Sequence, residues 1–206
     1  MFGDPKVNIM GWRKSKFGEV GQFIGGYAFK SIDYTEKGVR LVKIANVNKD
    51  YLDWMDVDYL PFDYLNKYSS FSLQYGDVVM AMTRPIIKSL SAVKMAKVSN
   101  SDVPCLLNQR VGKFVFFNDI ISIYFIELCK FSFFKEAVVT HSINSLQPNI
   151  SSEQVESIEI PIPPLSLQNQ FAEFVQQVDK SKFVILNNLT ACSNKFIIKL
   201  VSSAVI

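Results

Sequence analysis

The side chains that could make or break bonds are few. His141 is the only histidine, and Cys105, Cys129 and Cys192 are odd in number and far apart. A Ser–His or Cys–His couple would have to use His141, yet no orienting carboxylate lies beside it in sequence. No Cys-x-x-Cys pair offers metal-ligand spacing, so reduced, buried thiols are expected rather than a metal or disulfide framework. The chain has no Gly-x-Ser-x-Gly elbow, Gly-x-Gly-x-x-Gly turn or His-Glu-x-x-His helix. Gly25-Gly26-Tyr27-Ala28-Phe29-Lys30-Ser31 echoes a phosphate loop, but Phe29 stands where the glycine before lysine must be. Methyltransferase and nuclease motifs are missing as well. The sequence predicts no catalysis, no metal and no cofactor in this chain.

Charge is more informative than its net value of +3. Residues 6–49 hold nine Lys/Arg against Glu19, Asp33 and Glu36, a local +6. Residues 50–63 then carry five Asp and no base. Residues 84–113 hold Arg84, Lys88, Lys94, Lys97, Arg110 and Lys113 against Asp102 alone, a local +5. Folded onto one face, the two basic segments would seek phosphates; kept apart, they are an ordinary solvated surface. No apolar run reaches the ~18–20 residues of a bilayer span. Met1-Phe2-Gly3-Asp4-Pro5 lacks the pattern of a secretory signal, so a cytoplasmic protein without membrane contact is expected.

Two elements must position whatever these residues do. The first is a head of short, aromatic-rich apolar runs. Phe17–Ile24 reads as a strand leading to a positive-φ turn at Gly25-Gly26. Val39–Val47 alternates with period two, Val39 and Leu41 facing inward. Asp50–Asp63 reads as loop and irregular edge, Phe62–Tyr68 as one or two helical turns, and Val78–Met82 as a buried strand ended by Pro85. Ser91–Val98 and Lys113–Phe117 are further strands. Asn118 is placed to cap a helix over Asp119–Val138, apolar nearly all round and therefore a central packing element. Ser151–Glu156 opens a brief helix with capping-box chemistry.

The second element is an arm. Pro161, Pro163 and Pro164 forbid regular hydrogen bonding, and Ser166 offers an N-cap oxygen to a helix beyond them. Leu167, Phe171, Phe174, Val178, Ile185, Leu189, Cys192, Phe196 and Leu200 then recur mostly three or four apart, an amphipathic stripe. A helix from Ser166 to Val201 would be roughly 54 Å long at ~1.5 Å per residue. Such a stripe needs another helix to cover it. The expected division is a head over 1–164 and a helix over 165–206.

Several fragments, read in order, resemble the specificity subunits of Type I restriction–modification systems. They are Phe2-Gly3-Asp4-Pro5 with Gly11-Trp12, Phe17–Val20 with Gly25-Gly26 and Phe29-Lys30-Ser31, and Gly38–Val47. Gly76-Asp77-Val78-Val79 followed by Arg84, Asn108-Gln109, and the run Ile158–Phe171 complete the set. The resemblance implies an α+β fold: a mixed-sheet target-recognition domain with a buried helix, then a long C-terminal helix that pairs in an antiparallel coiled coil. It also implies a non-catalytic subunit that reads one half of a bipartite double-stranded DNA target. The helix would act as spacer and dock modification (methyltransferase) subunits that use S-adenosylmethionine; restriction subunits would join them. The family's usual subunit has two recognition domains and two spacer helices, and here there is one of each. Either a half-length subunit pairs with a second copy, burying Phe171, Phe174, Val178, Ile185, Leu189, Phe196 and Leu200, or the chain is a fragment. Its opening resembles the junction after a first spacer helix, which favours descent from the second half of a longer subunit. A helical-arm adaptor, or the recognition half of a single-chain restriction–methylation enzyme, are the competing readings.

Within that resemblance, phosphate contacts fix register and base-edge contacts specify sequence. Lys30, Arg40, Lys43, Lys49, Lys88 and Lys94 are the expected phosphate partners. Arg suits guanine and Asn or Gln suits adenine, which points to Arg84, Asn108-Gln109-Arg110 and His141-Ser142-Asn144. Asn46, Asn108 and Gln109 sit at recurrent family positions and could equally support loops. Arg84 could equally form a structural salt bridge.

Overall fold

Apolar runs this short can make only short strands, and each must find its neighbours elsewhere in the chain. The computed structural model describes residues 2–142, 148–182 and 185. It begins with β1 (Arg13–Lys16), the single turn α1 (Phe17–Val20), β2 (Gly21–Gly25), β3 (Val39–Val42), β4 (Lys49–Asp50) and β5 (Asp58–Leu60). The one-turn α2 (Tyr64–Lys67), β6 (Ser72–Leu73), β7 (Val78–Ala81), β8 (Ile86–Ile87), β9 (Ala92–Val93) and β10 (Met95–Lys97) come next. Then come β11 (Cys105–Leu107), β12 (Val111–Phe116), α3 (Ser122–Cys129), α4 (Ser132–His141), α5 (Ser152–Glu156) and β13 (Glu159–Ile162). A last helix, α6, is described over 165–182. The chain divides into two units, Met1–Leu165 and Ser166–Ile206.

The fold of the first unit is α+β with mixed sheets. One sheet has the order β2-β12-β7-β10-β4, antiparallel except for the parallel edge pair β10–β4. The other runs β5-β3-β11-β6, with β3 and β11 parallel. β1 pairs with β13 and β8 with β9, each antiparallel. All four residues of β7 are buried, as a strand covered on both faces requires. Val42, Leu73, Val79, Leu107 and Val111 form one core cluster, and Val39, Leu41, Leu60 and Leu106 a second. A third layer is aromatic: Phe125 of α3 lies 5.0 Å from Phe17, 4.8 Å from Phe114 and 5.9 Å from Phe134 between ring centres.

Several sequence expectations change for local reasons. Phe17–Val20 is a helical turn rather than strand, because Phe17 and Val20 both bury, and a spacing of three places them on one side of a turn. The Val39–Val47 strand stops at Val42, where the Asn46 side chain accepts the Lys43 N–H at 2.9 Å and turns the chain. The loop and irregular edge expected over Asp50–Asp63 contributes Asp50 to β4 and supplies β5, both edge strands. Ser91–Val98 splits at Lys94, whose N–H donates to the Pro85 carbonyl. Asn118 caps nothing. The single helix is two, α3 and α4, parted at Lys130–Phe131. An all-round apolar sequence cannot satisfy every face of one straight rod, and the break lets Phe125 and Phe134 meet. Tyr124, Phe125, Leu128 and Cys129 are buried on α3, whereas α4 buries only Phe134 and Val138.

The capping box at the start of α5 forms as expected: Ser151 Oγ accepts the Gln154 N–H, and Gln154 Oε1 accepts the Ser151 N–H. In the proline-rich run, α6 starts at Leu165, so Ser166 lies in its first turn and is not the cap. Pro161 is accommodated because β13 has only one partner strand. The Pro161 carbonyl accepts the buried Tyr124 hydroxyl at 2.8 Å. Among the described residues, no helix is long and apolar enough to cross a membrane.

Phe125 is the ring on which the aromatic layer converges. Phe125→Ala should therefore lower stability by about 3–5 kcal/mol, measured by urea unfolding of the purified chain.

Candidate nucleic-acid interface

The three residues Asn108-Gln109-Arg110 connect β11 of one sheet to β12 of the other. Backbone hydrogen bonds fix this crossing on both sides. Asn108 N–H donates to Val42 O at 3.0 Å, Gln109 N–H to Tyr27 O at 2.9 Å, and Met82 N–H to Arg110 O at 2.9 Å. Tyr27 N–H in turn donates to Leu107 O at 2.9 Å. The approach is possible because residue 26 is glycine: a Cβ there would stand 2.3 Å from the Leu107 oxygen and 2.4 Å from that of Asn108. Gly26 thus serves close contact, and the positive-φ turn expected at Gly25-Gly26 is absent.

The segment after β7 lies against this crossing. Arg84 has φ +49°, a left-handed conformation that reverses the chain before Pro85. Arg84 N–H donates to Pro148 O at 2.8 Å, Ile150 N–H to Met82 O at 2.9 Å, and Thr83 bridges to Asn149. Residues 82–84, 108–110 and 148–150 therefore make a three-ply irregular edge. It encloses an open concavity of about 300 Å³, lined by Thr83, Gln109, Arg110, Asn149 and Gln154 among others. Arg110 Nη1 donates to Thr83 Oγ1 at 3.2 Å, holding one corner of the guanidinium and leaving its other donors for a ligand. Arg84, Gln109 and Arg110 are all exposed. Among the described residues Arg84 forms no salt bridge. Neither Thr83 nor Asn149 stood out in the sequence; the only signal for Thr83 was its place before Arg84-Pro85.

His141 and Ser142 are half-buried at the end of α4, and Ser142 Oγ donates back to Val138 O at 2.6 Å. Asn144 lies outside the described residues, as do Leu189, Phe196, Leu200 and Cys192. Of the helix stripe, Phe174 and Ile185 are exposed, and Phe171 and Val178 half-buried.

The basic candidates divide sharply. Lys30, Lys49 and Lys88 are exposed at turns and an edge strand, and Lys94 is half-buried. Three others make contacts within the fold itself. Asn46 is 1% exposed; besides accepting from Lys43, its Nδ2 donates to the carbonyls of Asp53 at 3.0 Å and Asp56 at 2.7 Å. The Arg40 guanidinium lies 4.6 Å over the Trp54 ring and donates to the Ser101 carbonyl. Trp54 Nε1 donates in turn to buried Asp102 at 2.7 Å. Lys43 pairs with Asp58. Burial pulls the Lys43 ammonium down, but the hydrogen bond and charge of Asp58 outweigh it and raise it above the ordinary lysine value. The acidic segment thus folds back onto part of the first basic one.

An aromatic group borders the crossing. Tyr27, 39% exposed, lies 4.6 Å from Tyr68 and 5.4 Å from Phe71 between ring centres, with Lys67 over Tyr64 and Tyr68. Burial pushes the Cys105 thiol up to about 12 and that of Cys129 well above its ordinary value, which keeps both protonated and unreactive. Among the described residues no cluster of His, Cys, Asp and Glu is placed to hold a metal.

The edge thus presents exposed Arg84, Gln109 and Arg110 on a sheet scaffold. The model of the Type I restriction modification DNA specificity domain matches residues 10–191. The chain belongs to this family. It is 34% identical over 179 residues to the Type I restriction enzyme EcoAI specificity subunit of Escherichia coli, covering 85% of this chain and 30% of that one. It is 36% identical over 169 residues to the MjaVIII specificity subunit of Methanocaldococcus jannaschii, covering 82% and 39%. The chain therefore spans well under half the length of these relatives. Among solved structures, its fold is similar to that of the HsdS subunit from Thermoanaerobacter tengcongensis, with TM-score 0.50 and 16% identity over 83% of this chain and 38% of that one. The Type I S subunit from M. genitalium gives TM-score 0.54 and 11% identity over 86% and 42%.

For the specificity domain, the buried role of Asn46 is directly testable. Asn46→Ala should cost about 1–3 kcal/mol of stability by stranding buried backbone groups, seen as a lowered thermal midpoint. A stability change of this kind leaves sequence preference untouched.

Proposed function

We propose that this chain is a non-catalytic DNA-specificity module that reads one half-site of a bipartite target in double-stranded DNA and docks methyltransferase subunits. The observation that carries the reading is the convergence of exposed Arg84, Gln109 and Arg110 on one irregular edge at the sheet crossing. Arg presents a fork to guanine O6 and N7, and Gln a donor–acceptor pair to adenine N6 and N7. Asn108, His141, Ser142 and Asn144 are proposed as neighbours of that edge, and Lys30 and Lys88 as phosphate contacts that set its register. S-adenosylmethionine would be bound by the methyltransferase subunit, restriction subunits would complete the assembly, and the work would be done in the cytoplasm.

Residues 1–164 are proposed as the recognition unit and 165–206 as spacer. The stripe from Phe171 through Phe174, Val178 and Ile185 supports pairing with a second helix, and Leu189, Phe196 and Leu200 continue its spacing. An antiparallel coiled coil between two copies would place two readers about a two-fold axis and select an inverted repeat.

The test is to mix the chain with a cognate modification subunit, supply S-adenosylmethionine and sequence the methylated adenines. Methylation at sites sharing one half-site motif is expected. Absence of methylation, together with an oligomeric state that survives deletion of 166–206, would sink the reading. Within an active complex, Arg110→Ala should relax preference at one base pair by about 1–3 kcal/mol. Glycines inserted between Pro164 and Ser166 should broaden the range of accepted half-site spacings while leaving the half-site motif unchanged in the same sequencing readout.

A further inference from the structure

A second polar site lies away from the reading edge. We infer that the cavity between β4, the β8–β9 hairpin and the α3–α4 link is a phosphate site, occupied in the complex by a backbone phosphate of the DNA. This rests on the DNA-reading function proposed above. The cavity has a volume of about 120 Å³, and its polar lining is Lys49, Asp50, Ser91, Lys130, Ser132 and Lys135.

The three lysines come from three places in the chain. Lys49 arrives on β4 through its parallel pairing with β10, where it stands opposite Met95. Lys130 sits at the break between α3 and α4, and Lys135 one turn into α4. Their partners decide the local charge. Lys130 is paired with Glu127 at 2.7 Å and lies 3.8 Å from Asp50, so the carboxylates of the cluster are spent on it. Lys135 donates to the Ser91 hydroxyl, a neutral partner, and Lys49 is in no ion pair among the described residues. Two ammonium charges therefore face one small space without a carboxylate of their own, beside two hydroxyls that can donate. Like charges held together are unfavourable unless an anion joins them, and lysine binds phosphate as a point charge. The positive end of the ten-residue α4 adds to the same field.

A carboxylate ligand would leave most of these donors idle, whereas a tetrahedral phosphate has oxygens for each. The DNA backbone is favoured over a free phosphate by the path of the chain. The hairpin that supplies Ser91 to the cavity leaves the reading edge directly after Arg84-Pro85. Leu90 lies six residues on from Arg84, so the two sites are within about 20 Å even at a fully extended ~3.3 Å per residue. Along one DNA strand that reach is about six phosphates at ~3.4 Å of axis each. A duplex seated on the edge thus has phosphates within reach of the cavity, on the side where Lys88 is also exposed.

The test measures binding of the full chain to a synthetic mixed-sequence duplex at several salt concentrations. The variants are Lys49→Gln with Lys135→Gln, Lys49→Glu alone, and Lys16→Gln as a control on exposed β1. For the double variant, the slope of log affinity against log salt should become shallower by about 0.9, the value for one phosphate no longer neutralised. Affinity should fall severalfold alike across sequences, and the control should barely move. Lys49 is exposed, so Lys49→Glu preserves the fold and should weaken binding at least as much. A slope unchanged in both cavity variants overturns the inference while leaving the DNA-reading function standing. Wild-type chain that fails to bind duplex even at low salt overturns the DNA-reading function, and the inference with it. Inorganic phosphate that raises the thermal midpoint of wild type but not of the double variant, with unchanged DNA slopes, identifies a free-phosphate site and overturns the backbone assignment.

Discussion

The crossing at Asn108–Arg110 is the constraint on which the head depends. β11 belongs to one sheet and β12 to the other, so these three residues must pass between two cores. Leu106 buries in one cluster, while Leu107 and Val111 bury in the other. Slipping this connection by one residue would turn each of these side chains to the wrong face. The backbone bonds to Val42, Tyr27 and Met82 are satisfied only in the observed register. Precise placement of Gln109 and Arg110 is thus a by-product of core packing, so the edge proposed to read DNA would need little ordering when a ligand arrives.

Electrostatics in this fold is a matter of which charges the packing leaves over. The sequence offers a large basic excess in residues 6–49, but Arg40 stacks on Trp54 and Lys43 pairs with Asp58. Arg40 is suited to that place because its planar guanidinium can lie on an indole and still donate to the Ser101 carbonyl. Trp54 and Asp58 both belong to the Asp-rich segment, whose acidity therefore serves to retire part of the neighbouring basic charge. Half-exposed pairs like Lys43–Asp58 add little stability, so the main effect is on the surface field. The β4–β10 pairing carries exposed Lys49 of the first basic segment to the second, beside Met95.

Signals that act over a few residues were legible in the sequence. Ser151 and Gln154 form their capping box and Val78–Ala81 is buried on both faces, while the mixed α+β class came from the family resemblance. Signals that depend on distant partners were not. Nothing in Asp119–Val138 announces a break, since Lys130 and Phe131 are acceptable helix residues and only the packing of Phe125 against Phe134 requires one. Asn46 reads as a polar residue in an alternating strand until its amide is seen to hold carbonyls 7 and 10 residues away. Some side chains chosen from sequence for base reading bond within a loop, and others stay exposed where the backbone is already saturated by its own bonds. Arg84, Gln109 and Arg110 are of the second kind.

The same reasoning explains why the proline-rich run can be stiff without regular structure. β13 is held on one side by β1, with Pro161 opposite Lys14, and from within by the Tyr124 hydroxyl on the Pro161 carbonyl. Tyr124 is 2% exposed, so its hydroxyl has little access to water and strongly favours the bond it makes. Burial also raises its pKa well above the ordinary tyrosine value, which keeps it a donor throughout the working pH range. Pro163 and Pro164 then fix two successive φ angles before the helix begins at Leu165. A glycine at either place would give the unfolded chain more backbone states to lose, and the prolines remove that freedom.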